Sequence, residues 1–515
     1  MGERMRVSAV QQGSVDPLFD PTALPELGNE RTSESPRRRI IVIGAGPGGI
    51  IAAYRFRRAG FDEVTVLERA AGPGGTWWHN RYPGAACDVQ AHLYSFSFAP
   101  NPSWSRPYAT QSELLEYFER VVDDFDLRGC MRFGVTVHSV ERDDVANVWV
   151  VTTTDGERIE AEVVVSAIGM FNELTWPSID GLESFIGPSF HTAQWPEDLD
   201  VAAKRVGVIG SAATAVQLVP AIAKQASHLT VFQRSAPWVM PKLDEPFTDE
   251  QRERFAADES QRLAIRRLLW DRVEGAILFH PASVEISTNA AISNLDSIDD
   301  PELRQKLTPQ DPFGCNRPLT SSDYYPAFNL DTVDLVTTPI KEVKPNSVVD
   351  VDGVEHELDV LVIATGFAAT RYLSALSVTG REGVRLEDEW NDGAQAWLGI
   401  ATTGFPNLFQ LYGPNTNNGS ILYMLECQVD LIVRTLQTMD RQNLAWVDVR
   451  REVLDEYNAE VQQAIAEVEP WTSDCSNYYR SPTGRVVTQC PFGMADYRER
   501  TLAVSEAVWH SAPLV

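Results

Sequence analysis

Short apolar runs punctuate the chain at 39–43, 64–68, 149–153, 163–167, 205–209, 229–233, 333–337 and 360–364. They are rich in β-branched residues, and several are apolar throughout. That pattern predicts strands covered on both faces of a parallel sheet. Helical periodicity lies between some of them. In 112–122, Leu114, Leu115, Phe118 and Val122 recur at helical spacing and predict a core-facing stripe. Two stretches interrupt the β/α rhythm. The first, 248 to about 307, is long, charged and without clear strands, and predicts a helical insertion. The second, 425–468, reads as helix with a break at 440–443. The N-terminal stretch, 1–38, carries Pro, Ser, Glu and Arg without periodicity and predicts a loose arm.

Composition narrows the class. A chain of 515 residues predicts two or more domains. Its 43% hydrophobic and 23% charged content is that of a globular protein able to bury a large core. The net charge of -28 disfavours nucleic acid and anionic membranes as partners. The six cysteines form no CxxC pair and no zinc spacing, so no metal site is expected, and their scatter fits a reducing cytosol. No signal peptide or membrane span is legible, and Arg6 stands where a myristoylation motif needs Ser or Thr. The expectation is a cytoplasmic protein.

The chemistry begins after the first run. Ile41-Val42-Ile43 leads into Gly44-Ala45-Gly46-Pro47-Gly48-Gly49 and then a helical stretch. This is GxGxxG in strand–turn–helix context. The first Gly makes the turn, the second admits a pyrophosphate, and the third lets helix pack on strand. The next strand ends in Glu68. A carboxylate there accepts from ribose hydroxyls and repels a 2′-phosphate, which suits FAD or NAD. Gly74-Gly75-Thr76-Trp77 follows and favours FAD, because it can form a second wrap around a flavin dinucleotide.

A second unit starts much later in the chain. Val206–Ile209 leads into Gly210-Ser211-Ala212-Ala213-Thr214-Ala215, with Ala at the second and third glycine positions. Alanine keeps close approach open but less free. The following strand ends at Arg234, which follows Gly210 at the same spacing as Glu68 follows Gly44. A guanidinium there can fork onto a 2′-phosphate, with Ser235 as a further donor. Glu68 and Arg234 thus occupy matched places with opposite charge. One chain with an FAD unit and an NADPH unit is an electron-transfer flavoprotein. A flavin disulfide reductase is disfavoured, because the FAD half lacks a redox cysteine pair.

The sequence also resembles the Baeyer–Villiger monooxygenases, class B flavin monooxygenases. Residues 185–196, Phe-Ile-Gly-Pro-Ser-Phe-His-Thr-Ala-Gln-Trp-Pro, match the family fingerprint F-x-G-x-x-x-H-x-x-x-W-P/D at every fixed position. Gly74-Gly75-x-Trp77 followed by Tyr82-Pro83-Gly84 and Asp88 matches a second signature, and Ala364-Thr365-Gly366 a third. The resemblance runs from about 39 to 497. It implies an α/β fold with two Rossmann-like dinucleotide-binding domains and a mainly helical insertion in the NADPH domain. The implied division is a flexible arm over 1–38, an FAD domain over 39–180 and 359–515, a linker over 181–200, and an NADPH domain over 201–358. The implied reaction is oxidation of a ketone to an ester or lactone, through a C4a-peroxyflavin formed from O2. N- or S-oxygenation is the alternative, against which Trp195-Pro196 argues.

The resemblance assigns roles. Arg317 stands at the family's catalytic Arg position, where a fixed cation stabilises peroxide and addition intermediate. Asp88 stands at the Asp position that orients it. The candidate FAD set is Gly44, Gly46, Pro47, Gly49, Glu68, Gly75, Thr76, Trp77, Asp88 and Tyr94. The candidate NADPH set is Gly210, Ser211, Ala212, Ala213, Thr214, Gln217, Arg234, Ser235 and Asn316. The linker set is Phe185, Gly187, His191, Trp195 and Pro196, with His191 as hinge or hydrogen-bonding residue. Cys87, beside Asp88, is expected to make a backbone contact at most. Asn316 replaces a Lys common in the family, which predicts a less strict NADPH preference. Tyr478 stands where a C-terminal loop of the family often presents Trp.

Overall fold

The computed structural model describes residues 27–32, 35–474 and 477–514. Two five-stranded parallel sheets organise them. The first runs, in spatial order, Leu408–Gln410, Val163–Ser166, Ile40–Ile43, Val64–Glu68 and Met131–Phe133. The second runs Val333–Val336, His228–Phe232, Arg205–Ile209, Val360–Ile363 and Ser189–His191. All of Ile40–Ile43, of Val163–Ser166 and of Val360–Ile363 is buried, as strands covered on both faces must be. Each sheet has its own apolar core.

The pairing corrects two expected boundaries. Val360–Ile363 pairs with Arg205–Ile209, so a division at 358/359 would cut the second sheet. Ser189–His191, placed in the linker by sequence, is that sheet's edge strand. Residues 149–153 also depart from a parallel sheet. Val148–Thr153 lies in an antiparallel meander between Val137–Asp143 and Arg158–Ala161. Its burial alternates toward one face, as an antiparallel strand with one wet side does.

The predicted insertion forms the helices Asp249–Ala257, Glu259–Ile277, Pro281–Leu295 and Pro301–Leu307. The first starts at Thr248, whose capping box with Gln251 satisfies two orphan donors. Although it lies between strands of the second sheet, the insertion grips the first domain. Arg266 is buried and donates to the carbonyls of His92, Leu93 and Ser95 at 3.1, 3.3 and 2.9 Å. Glu274 accepts from the Met494 and Ala495 amides, at the positive end of the Met494–Leu502 helix.

Residues 425–468 are not one broken helix. The helices Ile421–Arg441 and Arg451–Ala466 flank a strand, Leu444–Val449, which pairs antiparallel with Trp509–Pro513. The arm predicted over 1–38 is tied down at its end. Arg31 and Arg38 both pair with Asp440, and Arg38 is buried. Residues 1–26 lie outside the described set. Cys87, Cys130, Cys427 and Cys490 are free thiols, whereas Cys315 is disulfide-bonded. Among the described residues, no helix is long and apolar enough to cross a membrane.

Candidate active site between two nucleotide turns

A cavity of about 1130 Å³ opens between the carboxyl ends of the two sheets. Parallel α/β sheets place ligand crevices at this edge. Every candidate cofactor residue except Gly49 lines it, and none of the five linker residues does.

The first turn is layered. The Pro47–Arg58 helix starts with Pro at its first turn and Gly46 as N-cap, without a side-chain cap. Its first N–H groups are left for an anion. Gly49 lies behind the turn, where a Cβ would sit 1.9 Å from the Gly44 carbonyl oxygen. The second wrap seats on the first turn through a 2.9 Å bond from the Gly74 amide to the Ala45 carbonyl. Glu68 is fixed: one carboxylate oxygen accepts from the Ala45 amide and the other from Ala70, both at 2.7 Å. A carboxylate has about four acceptor sites, so ribose hydroxyls can still be bound. The Trp77 indole donates to the Tyr94 hydroxyl at 3.1 Å, with the rings edge to face.

The second turn is open. Ala212 caps the Ala213–Ala223 helix without a side-chain bond, and Ala212 and Ala213 are exposed. The Ser211 hydroxyl donates to the Ser235 carbonyl at 2.8 Å, tying the turn to the end of the next strand. Arg234 is exposed at that end and makes no hydrogen bond or ion pair with any described residue. Asn316 lines the same cavity. The Gln217 side chain instead bonds the first domain, at Tyr82 and Ala86.

Arg317 and Asp88 meet across the two domains. The Arg317 Nε and Nη2 both donate to Asp88 Oδ2, at 2.9 and 2.5 Å. Burial pushes the Asp88 carboxyl up, but the Arg317 charge and hydrogen bonds outweigh it and hold the group below its ordinary value. Asp88 in turn holds the guanidinium well above its usual range. The pair therefore stays charged. A guanidinium has more donors than Asp88 uses, and Arg317 lines the cavity.

Beside this pair, Tyr412 and Asn417 escaped the sequence reading, while Tyr478, singled out there, joins them. The Tyr412 hydroxyl donates to Asn417 Oδ1 at 2.7 Å, and Tyr478 faces both Arg317 and Asn417. Tyr412 has φ +56°, a conformation uncommon outside glycine and asparagine. Nothing in the local sequence signals these neighbours, which come from segments far apart along the chain.

The linker residues lie outside the cavity. His191 is fully buried. Its Nδ1 accepts from the Ala193 amide at 3.1 Å, so Nε2 carries the proton and donates to the Gly366 carbonyl at 3.0 Å. Burial lowers its pKa, which keeps the ring neutral. Phe185 packs into a small core with Ile209 and Leu361, and Trp195 meets Phe190 edge to face. A Cβ on Gly187 would lie 2.3 Å from the Asp359 carbonyl oxygen. Pro196 follows Trp195 at the end of this packed segment. Cys87 is buried, and among the described residues its sulfur accepts from the Val89 amide alone.

Two nucleotide turns facing one cavity, with a charged pair between them, define a flavoprotein oxidoreductase with two dinucleotide-binding domains. Residues 41–246 match the family model described as pyridine nucleotide-disulphide oxidoreductase. A Baeyer-Villiger monooxygenase of Streptomyces coelicolor is 39% identical over 91% of this chain and 92% of its own. Another, of Pseudomonas aeruginosa, is 36% identical over 92% and 91%. The crystal structure of cyclohexanone monooxygenase from Rhodococcus sp. Phi1 bound to NADP+ superposes with a TM-score of 0.84. It is 33% identical and covers 92% of this chain and 99% of that one. The chain belongs to the Baeyer–Villiger monooxygenases, a family of flavin-dependent monooxygenases.

Proposed function

We propose that this flavin monooxygenase, with FAD and NADPH, oxidises a ketone to an ester or lactone at the Asp88–Arg317 pair. The observation that carries the reading is that pair's place, in one cavity between a turn suited to FAD and a turn suited to NADPH. The chain's residues fit both groups. The uncapped Pro47–Arg58 N-terminus and the fixed Glu68 carboxylate suit a pyrophosphate and a ribose. Arg234, without a partner among the described residues, and Ser235 suit a 2′-phosphate. When bound, the reduced flavin supplies two electrons and the means to activate O2.

The residues do the rest. Arg317 holds a positive charge beside the reacting oxygen, where negative charge builds as the carbonyl is attacked. Asp88 fixes the direction of that guanidinium and is not itself a proton donor, since its pKa is depressed. Trp77, Tyr94, Tyr412 and Tyr478 line the cavity with this pair, narrowing access for water. His191, neutral and buried, ties the linker to Gly366 and moves no proton.

Arg317→Ala tests the assignment. Flavin reduction by NADPH should persist while ester formation falls by about 10² to 10³, the usual cost of one oxyanion stabiliser. Ester formation at the native rate would remove Arg317 from the mechanism. A panel of ketones, amines and sulfides assayed with the native enzyme separates ketone oxidation from N- or S-oxygenation.

A further inference from the structure

The Gln217 side chain lines the cavity, yet its hydrogen bonds go to a loop of the first domain. Its Oε1 accepts from the Tyr82 hydroxyl at 2.9 Å and from the Ala86 amide at 3.4 Å. Its Nε2 donates to the Ala86 carbonyl at 2.9 Å. Burial pushes the Tyr82 phenol up to about 12, so it remains a donor over the working pH range. Tyr82 itself packs on the core of the second domain.

Backbone packing reinforces the contact. Gly84 has φ +84°, and a Cβ there would lie 2.4 Å from the Gln217 carbonyl oxygen and 3.4 Å from the Ala221 Cβ. The loop therefore rests directly on the helix that carries the second turn. It is also anchored on its own side, since the Gln111 and Cys87 amides bond to the Ala85 and Ala109 carbonyls. Asp88, just beyond Ala86, makes another tie between the domains through Arg317.

We infer that Gln217 is a positioning residue: with Tyr82, Gly84 and Ala86 it clasps the two domains and sets how far the nicotinamide turn stands from the flavin. The clasp lies one helical turn beyond Thr214, so a slip here shifts the whole second turn. Misplacement of reacting groups by about 1 Å can cost about a hundredfold in rate. The clasp acts first on hydride arrival, which flavin bleaching reads apart from oxygenation. It rests on the cofactor assignment proposed above.

The test compares Gln217→Ala, Gln217→Glu and Gly84→Ala in the flavin-loaded enzyme. The first removes the clasp. The second keeps the acceptor for Tyr82 and the Ala86 amide but loses the donor to the Ala86 carbonyl. The third pushes the loop off while leaving the Gln217 side chain intact. Anaerobic flavin bleaching at saturating NADPH should fall about tenfold or more in Gln217→Ala and Gly84→Ala, and less in Gln217→Glu, with half-saturation changed little. Hydrogen exchange of the cofactor-free chain should rise at 82–88 in the same order. Full bleaching at a raised half-saturation would make Gln217 a cofactor contact and overturn the inference. Native bleaching with faster exchange would reduce the clasp to packing and overturn it as well. Arg317→Ala reads ester formation with bleaching intact, so failure of that assignment is separable from failure of the clasp.

Discussion

The two nucleotide turns share a frame and differ in how much they tolerate. In each, a central strand lies between parallel neighbours, Ile40–Ile43 in one and Arg205–Ile209 in the other. In each, the first glycine leaves no space for a Cβ, which would lie 2.7 Å from the Ala167 carbonyl oxygen at Gly44 and 2.4 Å from that of Ala364 at Gly210. Beyond that glycine they diverge. The first turn is covered by the Gly74-Gly75 wrap and has no room for a methyl at Gly49, whereas the second holds a buried Ala215 and an exposed Ala212. Their strand-end charges differ in the same sense. Glu68 is buried and held by two amides, while Arg234 is exposed and without a partner among the described residues. A preorganised site loses little entropy on binding, and an open one gains its order from the ligand. On the proposed function, the first turn retains its cofactor and the second exchanges one.

The strongest way to break this contrast is to exchange the third positions. Gly49→Ala must displace the Gly44 carbonyl, an overpacking cost of about 1–3 kcal/mol placed at the pyrophosphate turn. Purified protein should carry almost no flavin, read as the ratio of flavin to protein absorbance. The mirror change, Ala215→Gly, should cost about 1 kcal/mol and leave both cofactors bound.

A further loss of flavin is expected at Glu68→Ala. It orphans the Ala45 and Ala70 amides, each worth about 1–3 kcal/mol when buried without a partner. Flavin occupancy and melting temperature should drop together, while NADP+ affinity measured by calorimetry stays unchanged. A loss of NADP+ affinity of equal size would mean that the turns are not independent.

The smallest effect is expected at Ala212→Gly. It frees the exposed second position of the open turn, so NADPH half-saturation should improve by about threefold at most. A large gain would show that the Ala212 methyl already obstructs the pyrophosphate and that the second turn is less open than its exposure implies.

Much of this contrast is legible in the chain itself. The two turns, Glu68 and Arg234 sit at matched spacing, and local β–turn–α geometry makes such spacing readable. The helical insertion is readable from its charge and lack of strands. What escapes the sequence depends on contacts between distant segments. Leu444–Val449 is a strand because Trp509–Pro513 lies beside it, and nothing within 440–450 announces that partner. Val360–Ile363 belongs to the second sheet because it pairs with Arg205–Ile209, from a far earlier part of the chain. Within the site, Asp88 and Arg317 can be named only through resemblance. Tyr412 and Asn417, and the use of Gln217 against Ala86, are hidden because each depends on how separate loops meet around the cavity.

The central claim is that opposite charges at equivalent strand ends sort the two cofactors. The most direct test is the ratio of kcat/KM for NADPH over NADH in the native enzyme and in Arg234→Ala. Loss of a charge-assisted contact of about 1.5–3 kcal/mol should lower the NADPH value by about ten- to a hundredfold and leave the NADH value near native, collapsing the ratio toward unity. A ratio unchanged by Arg234→Ala would contradict the account.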